Sequence, residues 1–101
     1  MSYQIYYSEK ARNDLQSIYE YIAYELLVPE TAANQVRNLT QAARSLENMP
    51  FRHPVYDFEP WKSKGIRTVT VGNYLLFYLP SEDEKRVNIV RVIYGGRNLE
   101  K

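Results

Sequence analysis

The 101-residue sequence predicts one small α+β domain that spans residues 1–101. Three observations support this class: an alternating stretch at the N-terminus, two stretches of helical periodicity in the first half, and three strand-like stretches in the second. The predicted order of elements is β-α-α-β-β-β, in which a helical hairpin packs on a small antiparallel sheet. A chain of this length is typical of a single domain with one hydrophobic core.

The first half of the chain predicts a strand and two helices. Residues 3–7 show the period of two that is typical of a strand, and Ser8 is a suitable N-cap for the helix that follows. Apolar side chains then recur every three or four positions along residues 11–26 and again along residues 32–46, which predicts one apolar stripe on each helix. Pro29 suits the first turn of the second helix, and the short connection indicates an antiparallel hairpin.

The second half predicts a loop and three strands. Residues 50–65 have no clear periodicity and contain three prolines, so we expect a loop there. Residues 66–71 are rich in β-branched side chains, and Gly72-Asn73 predicts a tight turn into the apolar stretch 74–79. That stretch should be a central strand buried on both faces, and residues 87–94 should be the last strand.

The composition argues against several kinds of site. The chain has no cysteine and a single histidine, His53, so disulfides, thiolate chemistry and a structural zinc site are not expected. We expect no cofactor, because no glycine-rich phosphate loop leads into a helix. The N-terminus lacks the pattern of a signal peptide, and no apolar run approaches the ~20 residues of a membrane helix. These features predict a cytoplasmic protein without membrane contact.

The charge of the chain is unevenly distributed. Residues 1–50 contain four Lys/Arg and six Asp/Glu, whereas residues 51–101 contain nine and six. The sheet half is therefore mildly basic, which is compatible with a polyanionic partner and equally with a solvated sheet edge. The ten tyrosines indicate half-buried surfaces or a partner interface as readily as a core.

Arginines near the predicted strands are the candidate functional groups. Arg67 opens the second strand, Arg91 interrupts the last one, and Arg97 follows the double glycine. Their guanidinium groups could converge on one patch that binds phosphate and stabilises the charge that develops in phosphoryl transfer. Tyr94 and Tyr74 are close in sequence to this set and could stack on a base or position a nucleophile.

A structural interpretation of the same residues remains open. Arg67 and Arg91 could pair with carboxylates and only stabilise the fold, the candidates being Asp57, Glu59 and residues 82–84. His53 is more typical of a surface or hydrogen-bonded loop residue than of a catalytic base. Trp61 is more typical of a hydrophobic plug that packs against the sheet than of a platform for base stacking.

Two stretches of the sequence resemble the RelE/ParE toxin superfamily. They are residues 65–78 (GIRTVTVGNYLLFY) and residues 87–98 (VNIVRVIYGGRN). The second helix also ends in the expected Leu-x-x-x-Pro pattern, Leu46 to Pro50, and the resemblance covers residues 3–98. It implies a toxin of a type II toxin–antitoxin module that arrests growth and is neutralised by an antitoxin encoded by an adjacent gene.

The resemblance allows more than one target, and we name ribosome-dependent mRNA cleavage first because the sheet half is basic, with gyrase inhibition or a degenerate antitoxin-binding domain as the alternatives. RelE-like members cut mRNA on the ribosome, ParE-like members inhibit DNA gyrase, and a degenerate member would only bind its antitoxin. Members that cut mRNA often carry arginine directly after the hairpin tyrosine, where this chain has Leu75.

The candidate residues for mRNA cleavage by acid–base transesterification would form a variant of the family's site. Arg67 and Arg97 would hold the phosphate, and Tyr94 or a lysine would move protons. Arg91 is a further catalytic candidate, and Lys62 and Lys64 are the candidates for binding RNA.

Overall fold

The computed structural model describes residues 2–95. Its main elements are the strand β1 (Gln4–Tyr7), the helices α1 (Glu9–Glu20), α2 (Pro29–Ser45) and α3 (Trp61–Lys64), and the strands β2 (Arg67–Val71), β3 (Tyr74–Ser81) and β4 (Arg86–Tyr94). The predicted α+β class, the helical hairpin and the three consecutive antiparallel strands are confirmed. The one-turn helix α3 lies in the stretch that the sequence predicted as a loop.

The four strands form one sheet in the order β1-β4-β3-β2. β2, β3 and β4 pair antiparallel, as expected for neighbours joined by tight turns. β1 pairs with β4 in parallel over Gln4–Tyr7, a pairing that periodicity alone does not reveal. Because β1 reaches only as far as Ile89, the rest of β4 has no strand on that side within residues 2–95, and α1 lies there instead.

Ser8 sets both the start of α1 and its position on the sheet. Its Oγ accepts a hydrogen bond from the Ala11 N–H at 2.9 Å, which is the predicted N-cap. The same hydroxyl donates to the carbonyl oxygen of Val90 at 2.9 Å. The cap therefore also fastens the first turn of α1 to the part of β4 that β1 leaves uncovered.

The first helix changes its form before the predicted end. The α-helix stops at Glu20, and Tyr21–Glu25 form a wider π turn. In that turn the Leu26 N–H donates to the Tyr21 carbonyl at 3.1 Å, a spacing of five residues instead of four. Because the π turn is wider, the side chains of the last turn, including Leu26, no longer continue the apolar stripe that the sequence predicted.

The sheet is covered on both faces in its centre. On the helical side, Leu76, Tyr78 and Ile89 pack with Leu39 and other apolar residues of the hairpin. On the other side, the Trp61 ring stacks on Phe77 at a centroid distance of 4.7 Å, which confirms the predicted hydrophobic plug. Leu76, Phe77 and Tyr78 are all buried, as predicted for a central strand.

The end of β3 differs from the sequence prediction. β3 continues through Pro80 to Ser81, beyond the predicted stretch 74–79. The extension is possible because Pro80 and Val87 still pair in the β3–β4 ladder. No helix within residues 2–95 has the length and apolarity needed to cross a membrane.

Candidate functional site

Arg67 lies at the start of β2 and binds the loop that precedes α3. Its Nη1 donates to the carbonyl oxygens of Phe51 at 3.2 Å and of His53 at 2.6 Å. The guanidinium also lies over the Phe51 ring, 5.1 Å from its centroid. The carboxylates suggested by the sequence, Asp57 among them, are not the partners in these bonds. Arg67 therefore holds the loop through main-chain carbonyls.

The same loop has a second anchor in the core. The buried Tyr78 hydroxyl donates to the Pro50 carbonyl at 2.6 Å. Burial raises the pKa of Tyr78, and the nearby Arg67 and Arg52 act in the opposite direction. The His53 ring lies edge-on to Tyr78 at 6.3 Å, and burial together with Arg52 lowers the pKa of His53. At neutral pH this imidazole is uncharged, in keeping with a packed loop residue.

Arg91 forms a two-bond ion pair with Asp14 of α1. Its Nε donates to Oδ2 at 2.8 Å and its Nη2 donates to Oδ1 at 3.0 Å. These bonds raise the pKa of Arg91. Asp14 Oδ2 also accepts a hydrogen bond from the Val92 N–H at 2.9 Å. One carboxylate therefore binds both a side chain and a main-chain donor at the edge of β4 that β1 leaves unpaired. The partners suggested from the sequence were wrong for Arg91, because α1 brings its own carboxylate to this strand.

Lys62 and Lys64, predicted to bind RNA, both lie on α3. Lys62 Nζ is 3.3 Å from Asp57 Oδ1 in a largely exposed pair, and Lys64 is exposed in the last turn. An exposed pair of this kind contributes little to stability, so the Lys62 ammonium can exchange partners. The stacking of Trp61 on Phe77 fixes the helix that carries them. Their contact with RNA stays a prediction.

Tyr94 lies at the other end of the sheet. It is 47% exposed, and its ring meets that of Tyr74, its partner in the ladder, edge-on at 5.5 Å. Burial and the neighbouring Tyr94 raise the pKa of Tyr74. Gly95 follows, and a Cβ there would lie 2.8 Å from Cγ of Leu75. A glycine is therefore needed where the chain passes over Leu75.

The predicted catalytic residues do not form one cluster among residues 2–95. Arg67 pairs with Tyr78 and Tyr94 pairs with Tyr74, on opposite sides of β3. Four residues along a strand span about 13 Å, and two strand spacings add about 9.5 Å across the sheet. Arg91 is turned toward α1 by its bonds to Asp14. Arg97, the remaining predicted catalytic residue, lies outside the described residues.

The structure contains two functional features that the sequence prediction missed. The first is Asp14, which is three residues after Ala11 and four before Ile18, and so lies on the apolar face of α1. A carboxylate in an apolar stripe requires a partner, and that signal was available in the sequence. The second is a groove of 670 Å³ between the helical hairpin and the end of the sheet, lined by Ser17, Ile18, Tyr21, Leu26, Asn73 and Tyr94.

Within residues 2–95 the structure shows no cluster of metal-ligating side chains. No three His, Asp or Glu side chains within residues 2–95 lie close enough together to act as ligands.

Comparison with known proteins places the chain in a family. The sequence matches the ParE toxin of the type II toxin–antitoxin system parDE over residues 5–99. No curated protein sequence matches it.

Solved structures of toxin–antitoxin systems have a similar fold. A chain of the chromosomal ParDE system from P. aeruginosa has a TM-score of 0.74 and 22% identity, covering 92% of this chain and 96% of that one. A chain of the RelBE2 complex from Mycobacterium tuberculosis has a TM-score of 0.66 and 23% identity, covering 93% and 92%. A chain of the archaeal RelE–RelB complex from Pyrococcus horikoshii OT3 has a TM-score of 0.63 and 16% identity, covering 96% and 99%.

The fold and these matches define the class of the protein as a toxin of the RelE/ParE superfamily, as the sequence stretches around Arg67 and Arg91 predicted. Within that class, the chain belongs to the ParE toxin family of type II toxin–antitoxin systems.

Proposed function

We propose that this toxin arrests bacterial growth by inhibiting DNA gyrase, and that it does not cut mRNA. Inhibition of gyrase is what the resemblance implies for ParE-like members. The match to the ParE family over residues 5–99 supports the proposal, since it covers both the helical hairpin and the sheet.

The observation that carries the proposal is the separation of the candidate catalytic groups. Cleavage of RNA by transesterification requires the groups that bind phosphate and the groups that move protons to surround the same phosphorus. Arg67 and Tyr94 lie on opposite sides of β3 and four residues apart along it. Arg91 is already held by both oxygens of Asp14. This arrangement favours a toxin that acts by binding a protein.

An antitoxin encoded by an adjacent gene is the second partner that we propose. The similar structures are toxin–antitoxin systems or complexes. A groove of 900 Å³ runs between β1 and α2, and Tyr3, Tyr7, Arg37 and Arg44 are among the side chains that line it. Its aromatic rings and guanidinium groups suit an acidic segment with apolar side chains.

Induction of the chain in a bacterium tests the proposed target. Incorporation of labelled thymidine and of labelled methionine is followed in parallel after induction. We expect thymidine incorporation to fall first and an SOS response to follow, because gyrase trapped on cleaved DNA leaves breaks. An early fall in methionine incorporation while DNA synthesis continues would contradict the proposal and favour mRNA cleavage.

A purified assay removes indirect effects from this test. The chain is titrated into a supercoiling reaction that contains bacterial gyrase, ATP and relaxed plasmid. We expect wild-type protein and Glu82→Ala, a change in the exposed turn between β3 and β4, to inhibit to the same extent. No inhibition by wild-type protein, and no growth defect on induction, would instead favour a degenerate domain that only binds its antitoxin.

A further inference from the structure

Exposed apolar side chains are concentrated at the tip of the helical hairpin. Of the eleven large apolar residues that residues 2–95 expose, six lie at this tip or beside it. We call this surface the hairpin-tip patch, and its members are Tyr21, Tyr24, Leu26, Leu27, Val28 and Tyr94. A contiguous exposed patch of aromatic and aliphatic side chains is typical of a protein interface.

Leu27 is the residue of the patch that the fold explains least. Its φ of 59° lies in the left-handed region, where the chain leaves the π turn. The Val28 N–H donates to the Ile22 carbonyl at 3.1 Å, a bond that closes the end of the helix. Glycine is the usual residue in this position, because it has no Cβ to strain. The Leu27 side chain is 76% exposed, so packing within the chain does not account for a leucine there.

The patch has a concave part next to its exposed rim. Tyr21 and Leu26 from the hairpin and Tyr94 from β4 line the groove of 670 Å³. The Tyr94 ring packs edge-on against the Tyr74 ring at 5.5 Å, and the Tyr24 ring packs edge-on against the Tyr19 ring at 6.5 Å. Aromatic side chains that are held in place lose little freedom on binding, which makes them effective anchors of an interface.

Within residues 13–36, which include the hairpin tip, every charged side chain is acidic. Residues 13–36 contain no lysine or arginine, and Glu20, Glu25 and Glu30 are exposed on the hairpin around the patch. A two-fold contact between copies of the chain through this surface would bring these carboxylates together, which disfavours a second copy as the occupant. The complementary surface is an apolar pocket rimmed by Lys and Arg. Enzymes that bind DNA are rich in such basic surfaces.

We infer that the hairpin-tip patch docks into an apolar pocket rimmed by basic residues on DNA gyrase. The inference rests on the proposed inhibition of gyrase and names the surface of the toxin that achieves it. Leu27 and Tyr24 enter the pocket, and the carboxylates Glu20, Glu25 and Glu30 face its basic rim. Because gyrase uses its basic surfaces to hold DNA, a toxin bound there would trap the DNA on the enzyme.

Leu27→Gly is the main test, and Met49→Gly is its matched control. Met49 also has a left-handed backbone, with φ 54°, and a 72% exposed side chain, and it lies beyond the other end of α2. Both variants remove a strained, exposed apolar side chain. In the gyrase supercoiling assay we expect Leu27→Gly to raise the inhibitory concentration about tenfold. Met49→Gly should leave it unchanged, and neither variant should melt at a lower temperature than wild type.

Tyr24→Ser and Glu25→Lys extend the test to the rest of the surface. We expect Tyr24→Ser to weaken inhibition and Glu25→Lys to weaken it most at low salt, since salt screens the contact with a basic rim. Equal inhibition by wild type, Leu27→Gly and Tyr24→Ser would overturn the inference while leaving gyrase as the target. No inhibition by wild type would instead overturn the proposed function.

Two further outcomes would assign the patch to another occupant. Light scattering shows whether the chain is a dimer that Leu27→Gly dissociates, and unchanged gyrase inhibition by that monomer would make the occupant a second copy. Binding of the adjacent gene's product is measured by calorimetry. If Leu27→Gly loses only that binding, the patch belongs to the antitoxin. Either result overturns the inference.

Discussion

The two ends of the sheet differ in how their side chains are used. At the end formed by the start of β2, Arg67 and Tyr78 bind the carbonyls of residues 50–53. At the end formed by Tyr74 and Tyr94, aromatic rings adjoin an open groove and the exposed turn of the hairpin. At the first end, side-chain hydrogen bonds hold a loop on the sheet, whereas at the second end the side chains of Tyr94 and Leu26 present apolar surface to solvent.

The arginines and one of the leucines have roles opposite to those that their residue types suggest. Arginine in a strand indicates a site for phosphate, yet Arg67 and Arg91 stabilise contacts within the chain. Leucine at a helical period indicates a core residue, yet Leu26 is 52% exposed. A charged group on a strand that is partly buried needs a partner, and nearby main-chain carbonyls or a helix carboxylate provide one here. The surface left for binding is then apolar.

Of the changes that we predict to affect stability, removal of the Asp14 carboxylate should cause the largest loss of unfolding free energy. Asp14→Ala leaves the half-buried Arg91 guanidinium and the Val92 N–H without their acceptor. We expect the free energy of unfolding in urea to fall by about 2–3 kcal/mol, less than for a fully buried pair because both side chains keep some contact with water.

A second ion pair in the same chain provides the control for that change. Asp57 pairs with Lys62 at 3.3 Å, but both side chains are largely exposed. Asp57→Ala should therefore change the free energy of unfolding by less than about 0.5 kcal/mol. Similar losses for Asp14→Ala and Asp57→Ala would mean that the bidentate pair is no more than a surface contact, and the contrast between the two regions would fail.

Tyr78→Phe should have the next largest effect. The change removes only the hydroxyl, leaving the Pro50 carbonyl without its 2.6 Å hydrogen bond in a buried position. A loss of about 1–2 kcal/mol in the free energy of unfolding follows from such an unsatisfied acceptor. Tyr6→Phe is the matched control, because the Tyr6 hydroxyl bonds to Gln4 at an exposed position. A stability of Tyr78→Phe equal to that of Tyr6→Phe would contradict the prediction.

Much of the fold follows from local sequence. The Ser8 cap, the helical stripes, the tight turn at Gly72 and the burial of β3 on both faces depend on neighbours within a few residues, and each was predictable. The Trp61 plug was also predictable, because proline-flanked tryptophan next to an apolar strand has few other places to lie.

The features that were not predicted depend on residues distant in sequence or on a break in the helical periodicity. The pairing of Asp14 with Arg91 joins positions 77 apart in the chain, and the parallel pairing of β1 depends on how the hairpin folds back. Leu26 fits the helical period, but the π turn moves it out of register with the stripe. The candidate site was therefore inferred from residue types without knowing which of them already had partners.

The pH-dependent contribution of His53 to the free energy of unfolding should be the smallest of the three effects. Burial and the charge of Arg52 lower the pKa of His53, so the folded protein favours the neutral imidazole more than the unfolded chain does. The unfolded chain therefore binds more protons near the ordinary histidine pKa of about 6.5. The stability that depends on neutral His53 is complete above that pH and is lost as the pH falls through the folded pKa.

His53→Gln isolates this contribution from other titrating groups. We expect wild type to lose more of its free energy of unfolding than His53→Gln between pH 7.5 and pH 5.5, measured by urea denaturation at constant salt. Carboxylates titrate mainly below this window, so they affect both proteins alike. An equal loss in the two proteins would mean that protonated His53 is tolerated against Tyr78 and Arg52. The loop at residues 50–53 would then be held by the Arg67 and Tyr78 hydrogen bonds alone, independent of the charge of the histidine.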